Sequence, residues 1–205
     1  MMRIHKLDQV LARDYKGPRA HFSQADVLKS IVLIGESERL GRAKLSSLLD
    51  LGVGEIRTLI KRLKDSGLIR VSAGGCELSE LGKKNYATIK KVVYWRSSVH
   101  GESLGIGKYC WAFVIRGKTS KVKMGIEQRD AAIKAGASGV ITVIFSHNRF
   151  LIPVEGTDCE ASRPSEPWIT VRESGLREGD VVVVSGAADS LTAENGGWSA
   201  SMTLL

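Results

Sequence analysis

At 205 residues the chain has room for one or two domains. Its formal net charge of +8 is unevenly placed, with 19 Lys and Arg against 10 Asp and Glu over residues 1–99 and 11 against 12 over residues 100–205. Such a split makes a polyanion the expected partner of the first half only. Cys76, Cys110 and Cys159 are far apart and form no CxxC pair, which argues against a disulfide framework or a cysteine-built zinc site and for a reducing, cytoplasmic compartment. No apolar run approaches the ~20 residues of a membrane span, and the opening residues lack the apolar core of a secretory signal.

Residues 1–20 read as a basic lead-in that ends on the breaker Lys16-Gly17-Pro18-Arg19. A helix follows. Ser23 is its expected N-cap, Asp26 completes a weak capping box, and Phe22 and Val27 stand where a hydrophobic staple would. Val27, Leu28, Ile31 and Val32 form its apolar stripe, and Gly35 is a plausible stop.

The stretch from Leu40 to Lys84 organises the chain. A short helix from Arg42 to about Leu51, with Leu45, Leu48 and Leu49 apolar, meets Gly52 and Gly54 at a sharp turn. The next helix, about Glu55 to Ser66, places Ile56, Leu59, Ile60 and Leu63 on one face and Arg57, Thr58, Lys61 and Lys64 on the other. Gly67 ends it, Leu68–Val71 and Cys76–Leu78 alternate as two short strands around Ser72–Gly75, and Ser79 caps a helix running towards Tyr94. A cationic helix held behind a tight turn by a preceding helix is the layout of a DNA-reading helix-turn-helix. The expected base-reading face is Glu55, Arg57, Thr58 and Lys61. Arg42, Lys44, Arg62, Lys64 and Arg70 are the expected phosphate contacts. The hairpin tip, Ala73-Gly74-Gly75, carries no cation of its own.

The run Gly41-Arg42, Leu45, Leu48-Leu49, Gly54, Ile56–Leu59, Leu63, Gly67–Ile69 and Leu78–Lys83 resembles prokaryotic winged-helix regulators over roughly residues 22–95. The resemblance implies a winged helix-turn-helix that binds double-stranded DNA. Winged helices also serve in RNA binding, in protein interaction and as accessory domains of enzymes.

Beyond it, Ser97–Lys108 is rich in Ser and Gly and reads as a linker, so the expected division is 1–96, linker 97–108, and 109–205. Tyr109–Ile115 is a buried-strand pattern. A helix is expected from Ile126 to Ala135, a strand over Gly139–Phe145, and a hairpin through His147-Asn148 into Arg149–Pro153. A short helix near Trp168–Ser174, an apolar strand at Val181–Val184 and a final helix interrupted near Gly196-Gly197 complete the list. Mixed elements with an antiparallel pair favour α+β over a doubly wound sheet. Ile126–Ala137 resembles an uncharacterised archaeal family in which a winged helix precedes a compact α/β domain, and that resemblance implies the same two parts without an activity.

Motifs for chemistry are weak. Arg116-Gly117-Lys118-Thr119 lacks the first glycine of a phosphate loop, because Ala112 stands in its place. Gly105-x-Gly107 lacks a third glycine and precedes a strand. His5, His21, His100 and His147 stand alone, so no metal and no cofactor is expected. The stripe Ile126, Asp130, Ile133, Ala137 sets an acid among apolar positions. It reads as a structural ion pair, as an Asp130–Lys134 surface pair, or as a small-molecule pocket lined by Glu127, Arg129 and Asp130. Asp189-Ser190, at a helix N-terminus, is a second candidate for polar ligand atoms. The expectation is a DNA-binding transcriptional regulator whose second half binds a small-molecule effector, forms a homodimer, or both. The alternative is a small-molecule enzyme with an accessory winged helix.

Overall fold

The computed structural model describes residues 10–11, 22–37 and 39–205. Val10 and Leu11 are helical; the rest of the expected lead-in and breaker lies outside the described residues. The chain divides into two compact units, residues 1–90 and 91–205.

The first unit begins with α1 (Gln24–Gly35), entered through a full capping box: Ser23 Oγ accepts from Asp26 N at 3.2 Å and Ser23 N donates to Asp26 Oδ2 at 2.7 Å. Its core residues Val27, Leu28, Ile31 and Val32 are fully buried. Next come α2 (Arg42–Leu49) and α3 (Val53–Asp65), the latter starting two residues earlier than its periodicity predicts. Ile56, Leu59 and Leu63 of α3 are sealed in the core. At ~1.5–3 kcal/mol for each fully buried aliphatic side chain, that stripe fixes which face of α3 remains outside. The strands β1 (Ile69–Ser72) and β2 (Gly75–Leu78) pair antiparallel from Ile69↔Leu78 to Ser72↔Gly75. Leu40 adds a bridge on the far side of β2, its N–H donating to Cys76 O at 3.0 Å and its carbonyl accepting from Cys76 N at 2.9 Å. Ser79 Oγ then accepts from Gly82 N at the start of α4 (Glu80–Val92).

No linker follows. The expected spacer at 97–108 is instead the end of β3 (Val93–Val99) and a loop into β4 (Tyr109–Ile115), the two strands pairing antiparallel from Val93↔Ile115 to Val99↔Cys110. Tyr94 and Trp95 are therefore strand residues, not the apolar end of a helix.

The second unit has α5 (Ile126–Lys134), β5 (Gly139–Ser146), β6 (Arg149–Leu151), α6 (Cys159–Ser162), α7 (Glu166–Glu173), β7 (Asp180–Ala187) and α8 (Ser190–Met202). Its five-stranded sheet, ordered β3-β4-β7-β5-β6, is antiparallel throughout, so the unit is α+β rather than doubly wound. β7 is central and buried at every position because both faces of the sheet are covered, which explains its unbroken Val181–Val184 run. On one face Cys110, Ala112, Val114, Val143, Phe150, Val182 and Val184 pack with Trp168 and Val171 of α7. On the other, Phe113 meets Trp198 of α8 edge to face at 5.6 Å.

α8 is continuous; the interruption expected at Gly196-Gly197 does not occur. A Cβ on Gly197 would collide with the Phe113 ring, and one on Gly196 would stand 2.5 Å from Ser185 Oγ and 2.7 Å from Ala137. The glycines bring the helix down onto the sheet rather than ending it.

Candidate nucleic-acid interface

The turn between α2 and α3 is held by backbone and side chain together. Asp50 closes α2 in the left-handed region at φ 55, and Gly52 opens α3. Glu55 Oε2 accepts from Gly52 N at 2.8 Å. The carboxylate that sequence periodicity places on a base-reading face is thus committed to the cap, where it fixes the angle at which α3 leaves the turn.

Arg57, Lys61 and Lys64 share the exposed side of α3, opposite Ile56, Leu59 and Leu63. Lys61 Nζ lies 4.0 Å from Asp65 Oδ2, a surface pair of little energetic weight. Thr58 Oγ1 donates back to Gly54 O at 2.9 Å, so its hydroxyl proton is engaged within the helix. Arg42 and Lys44 are exposed on the first turn of α2. Arg70 is exposed on β1. The hydrogen bond and the charge of Lys83 hold the nearby Glu80 carboxyl below the usual carboxylate range, with Arg70 a smaller contributor.

Arg62 is a correction. It is 2% exposed, its Nη1 donates to Val10 O at 3.0 Å, and its guanidinium lies 5.5 Å from the Phe22 ring centroid. It lies on the flank of α3 beside Leu59 and Leu63, so it builds the core and does not reach phosphate.

Two residues belong to this surface that the sequence reading passed over. Val53, the first residue of α3, is 63% exposed between two glycines, an apolar contact surface at the leading edge of the helix. Arg39 precedes the Leu40 bridge, pairs with Glu77 at 3.8 Å, and lies along the hairpin, its Nη1 3.0 Å from where a Gly74 Cβ would stand. The hairpin tip thus acquires a cation from another part of the chain.

The candidate ligand residues divide. Asp130 is no buried acid: its side chain is 52% exposed and pairs with Arg129 at 3.1 Å. The buried side of α5 is Gln128 and Ala132, while Ile126 and Ile133 are 42% and 46% exposed. Glu127 pairs with Lys123 at 3.4 Å. Asp189 caps α8, its Oδ1 accepting from Thr192 N at 2.9 Å, and Ser190 Oγ accepts from Trp111 Nε1 at 3.0 Å. Both have local structural work. Of the five, Arg129 and Ser190 border cavities.

Ser146, His147 and Glu178 come together without forming a nucleophile. Ser146 Oγ lies 3.0 Å from His147 Nδ1 and donates to Glu178 Oε1 at 2.5 Å, so the carboxylate accepts the hydroxyl's hydrogen bond and does not orient the imidazole. His147 and Asn148, at φ 50 and 61, are instead the two residues of a tight hairpin turn. Among the described residues no three His, Cys, Asp or Glu side chains are placed to hold a metal ion. Nor is any helix among them long and apolar enough to cross a membrane.

Comparison with known proteins divides the chain much as the fold does. The model of a domain of unknown function (DUF4443) matches residues 106–204, and that of a PH0730-like N-terminal domain matches residues 24–84. No curated protein matches the chain. Among solved structures, hypothetical protein PH0730 from Pyrococcus horikoshii OT3 is similar at a TM-score of 0.74 and 25% sequence identity, over 90% of this chain and 93% of that one. None of these descriptions states an activity. What they support is a chain of two parts, each similar to a family whose description gives no activity.

Proposed function

We propose that the first unit is a winged helix-turn-helix that reads double-stranded DNA, and that the chain is a cytoplasmic transcriptional regulator whose second unit senses a small-molecule effector, dimerises, or does both. The observation that carries this reading is the surface of α3. Arg57, Lys61 and Lys64 project from one side of a helix whose other side is sealed in the core, directly after a capped turn. Arg42 and Lys44 on α2, and Arg39 and Arg70 at the hairpin, flank that helix with positive charge.

On this reading the leading turn of α3 enters the major groove. Arg57 offers a bidentate donor to guanine O6 and N7, and Val53 lies ready for thymine methyl groups. A homodimer would place two such helices ~34 Å apart on a palindromic operator.

The test is Arg57→Ala/Lys61→Ala in the full chain, measured against a pool of genomic duplex fragments at two salt concentrations. Affinity should fall and the log K–log[salt] slope should flatten by about 1–2. Unchanged affinity and unchanged slope would remove the reading.

A further inference from the structure

Where β3 ends and β4 begins, the end of the sheet borders a cavity of about 560 Å³. That lies within the ~300–1,000 Å³ of most ligand sites. His100 follows β3, Lys108 and Tyr109 lead into β4, and Glu102 stands on the turn between the strands. Glu166 opens α7 on one face of the sheet, and Ser190 opens α8 on the other. All six are exposed. The turn that carries Glu102 is fixed in place. Leu104 is 2% exposed, and its carbonyl accepts from Arg163 Nη1 at 3.1 Å. A Cβ on Gly101 would stand 2.6 Å from Cys110 Sγ, so the turn lies directly against β4. Burial pushes the Cys110 thiol up and the Glu102 charge pushes it further, which places that carboxylate on the β4 side of the turn.

Charges around this cavity behave unlike those elsewhere in the second unit. There, acids and bases engage each other: Arg116 with Asp180, Arg129 with Asp130, Arg172 with Glu160. His100, Glu102, Lys108 and Glu166 border one cavity, yet none of their side chains has a hydrogen bond or ion pair among the described residues. Lys108 Nζ lies 5.3 Å from the Tyr109 ring centroid instead. Asp189, beside Ser190, is engaged by the Thr192 amide and hydroxyl. Ser190 Oγ accepts from Trp111 Nε1 and keeps its own proton to donate.

Two acids and two bases left unpaired around one concavity are complementary to a ligand that carries both charges itself. We propose that this cavity binds a free α-amino acid with an apolar side chain. The ammonium lies on Glu102 and Glu166. The carboxylate lies on Lys108, with the His100 imidazole and the Ser190 hydroxyl beside it. The side chain covers the Tyr109 ring, which is the large apolar surface exposed at this wall. Binding stands independently of DNA; the effector role alone rests on the regulator reading above.

The experiment is isothermal titration calorimetry of the full chain, without DNA, with L-phenylalanine, phenethylamine, 3-phenylpropanoate and glycine. Phenylalanine should bind saturably and about tenfold tighter than the amine or the acid, each of which lacks one charge-assisted contact. Glycine, with no side chain to cover Tyr109, should bind more weakly than phenylalanine. Lys108→Ala should erase the preference over the amine, and Glu102→Gln/Glu166→Gln the preference over the acid. These side chains are exposed and unpaired, so both variants should melt with wild type and the loss reads the site rather than the fold. The proposal is overturned by no saturable binding, by equal affinity for glycine, the amine or the acid, or by preferences that survive both variants. Saturable binding that leaves affinity for duplex DNA unchanged would overturn the effector role while keeping the site. Absence of DNA binding would sink the regulator reading and leave the amino-acid result intact.

Discussion

Arg57 and Arg62 belong to one helix and face opposite ways, so truncating them should separate two kinds of loss. Arg62→Ala removes a buried guanidinium from the Val10 carbonyl and the Phe22 ring. It is expected to cost about 2 kcal/mol of stability in denaturant unfolding and to leave the salt slope of DNA binding unaltered. Arg57→Ala is expected to do the reverse, flattening the slope by about 0.9 with stability unchanged. A slope change in Arg62→Ala equal to that in Arg57→Ala would contradict the burial. Asp189 offers a test of a different kind. The backbone hydrogen bond from Thr192, reinforced by the Thr192 hydroxyl, holds its carboxyl below the usual range. A folded value below the unfolded ~3.9 means the stabilisation is complete above the unfolded value and is lost as pH falls through the folded one. Asp189→Asn keeps an acceptor for Thr192 N. It should melt close to wild type at neutral pH and lose less stability at low pH. Melting curves that shift in parallel across the acid range would show that the charge contributes nothing.

At the scale of elements, the glycines of α8 reverse an ordinary expectation. Gly→Ala in an exposed helix stabilises by about 1 kcal/mol. At Gly197 the new methyl would enter the Phe113 ring, and overpacking of that kind costs about 1–3 kcal/mol, so Gly197→Ala should be net destabilising in guanidinium unfolding. The same packing explains why a sequence reading expects a break there: two adjacent glycines look like an interruption when the surface they approach is not yet known. β3 was hidden for a related reason. Val93–Val99 follows α4 with no breaker, and Ser97 and Ser98 have little strand propensity; the strand exists because β4 offers it an edge. By contrast, β4, β5 and β7 are runs of branched and aromatic residues, and α1, α2 and α3 carry caps or glycine turns, so these were legible from local chemistry alone. Within the candidate interface the outward face of α3 was legible from its period. The burial of Arg62, the capping role of Glu55 and the reach of Arg39 were not, because each depends on residues distant in the chain or on the angle of a turn.

For the whole molecule, the uneven charge makes a quantitative statement about any DNA complex. Arg39, Arg42, Lys44, Arg57, Lys61, Lys64 and Arg70 are the exposed cations on and around α3. Three of them have acidic neighbours: Arg39 with Glu77, Lys61 with Asp65, and Arg70 near Glu80. Each phosphate neutralised contributes about −0.9 to the slope of log K on log[salt], so the expected slope for one chain is about −4 to −6. The second unit has its own basic segment, Lys118, Lys121 and Lys123, but that segment is balanced within a unit whose 13 Lys and Arg are nearly matched by 12 Asp and Glu. Replacing these three lysines by glutamate in the full chain should leave the slope unchanged, because a contact-free cation releases no counterion when DNA binds. The same exchange at Arg57, Lys61 and Lys64 should abolish binding at physiological salt. Filter binding or fluorescence anisotropy over a salt series reads both. If charge reversal in the second unit flattens the slope as strongly as reversal on α3, the polyanion spans both units and the division of labour argued from charge is wrong. If neither reversal changes it, the basic first half is a solvated surface, and the exposed residues of α3 must be explained by a partner other than nucleic acid.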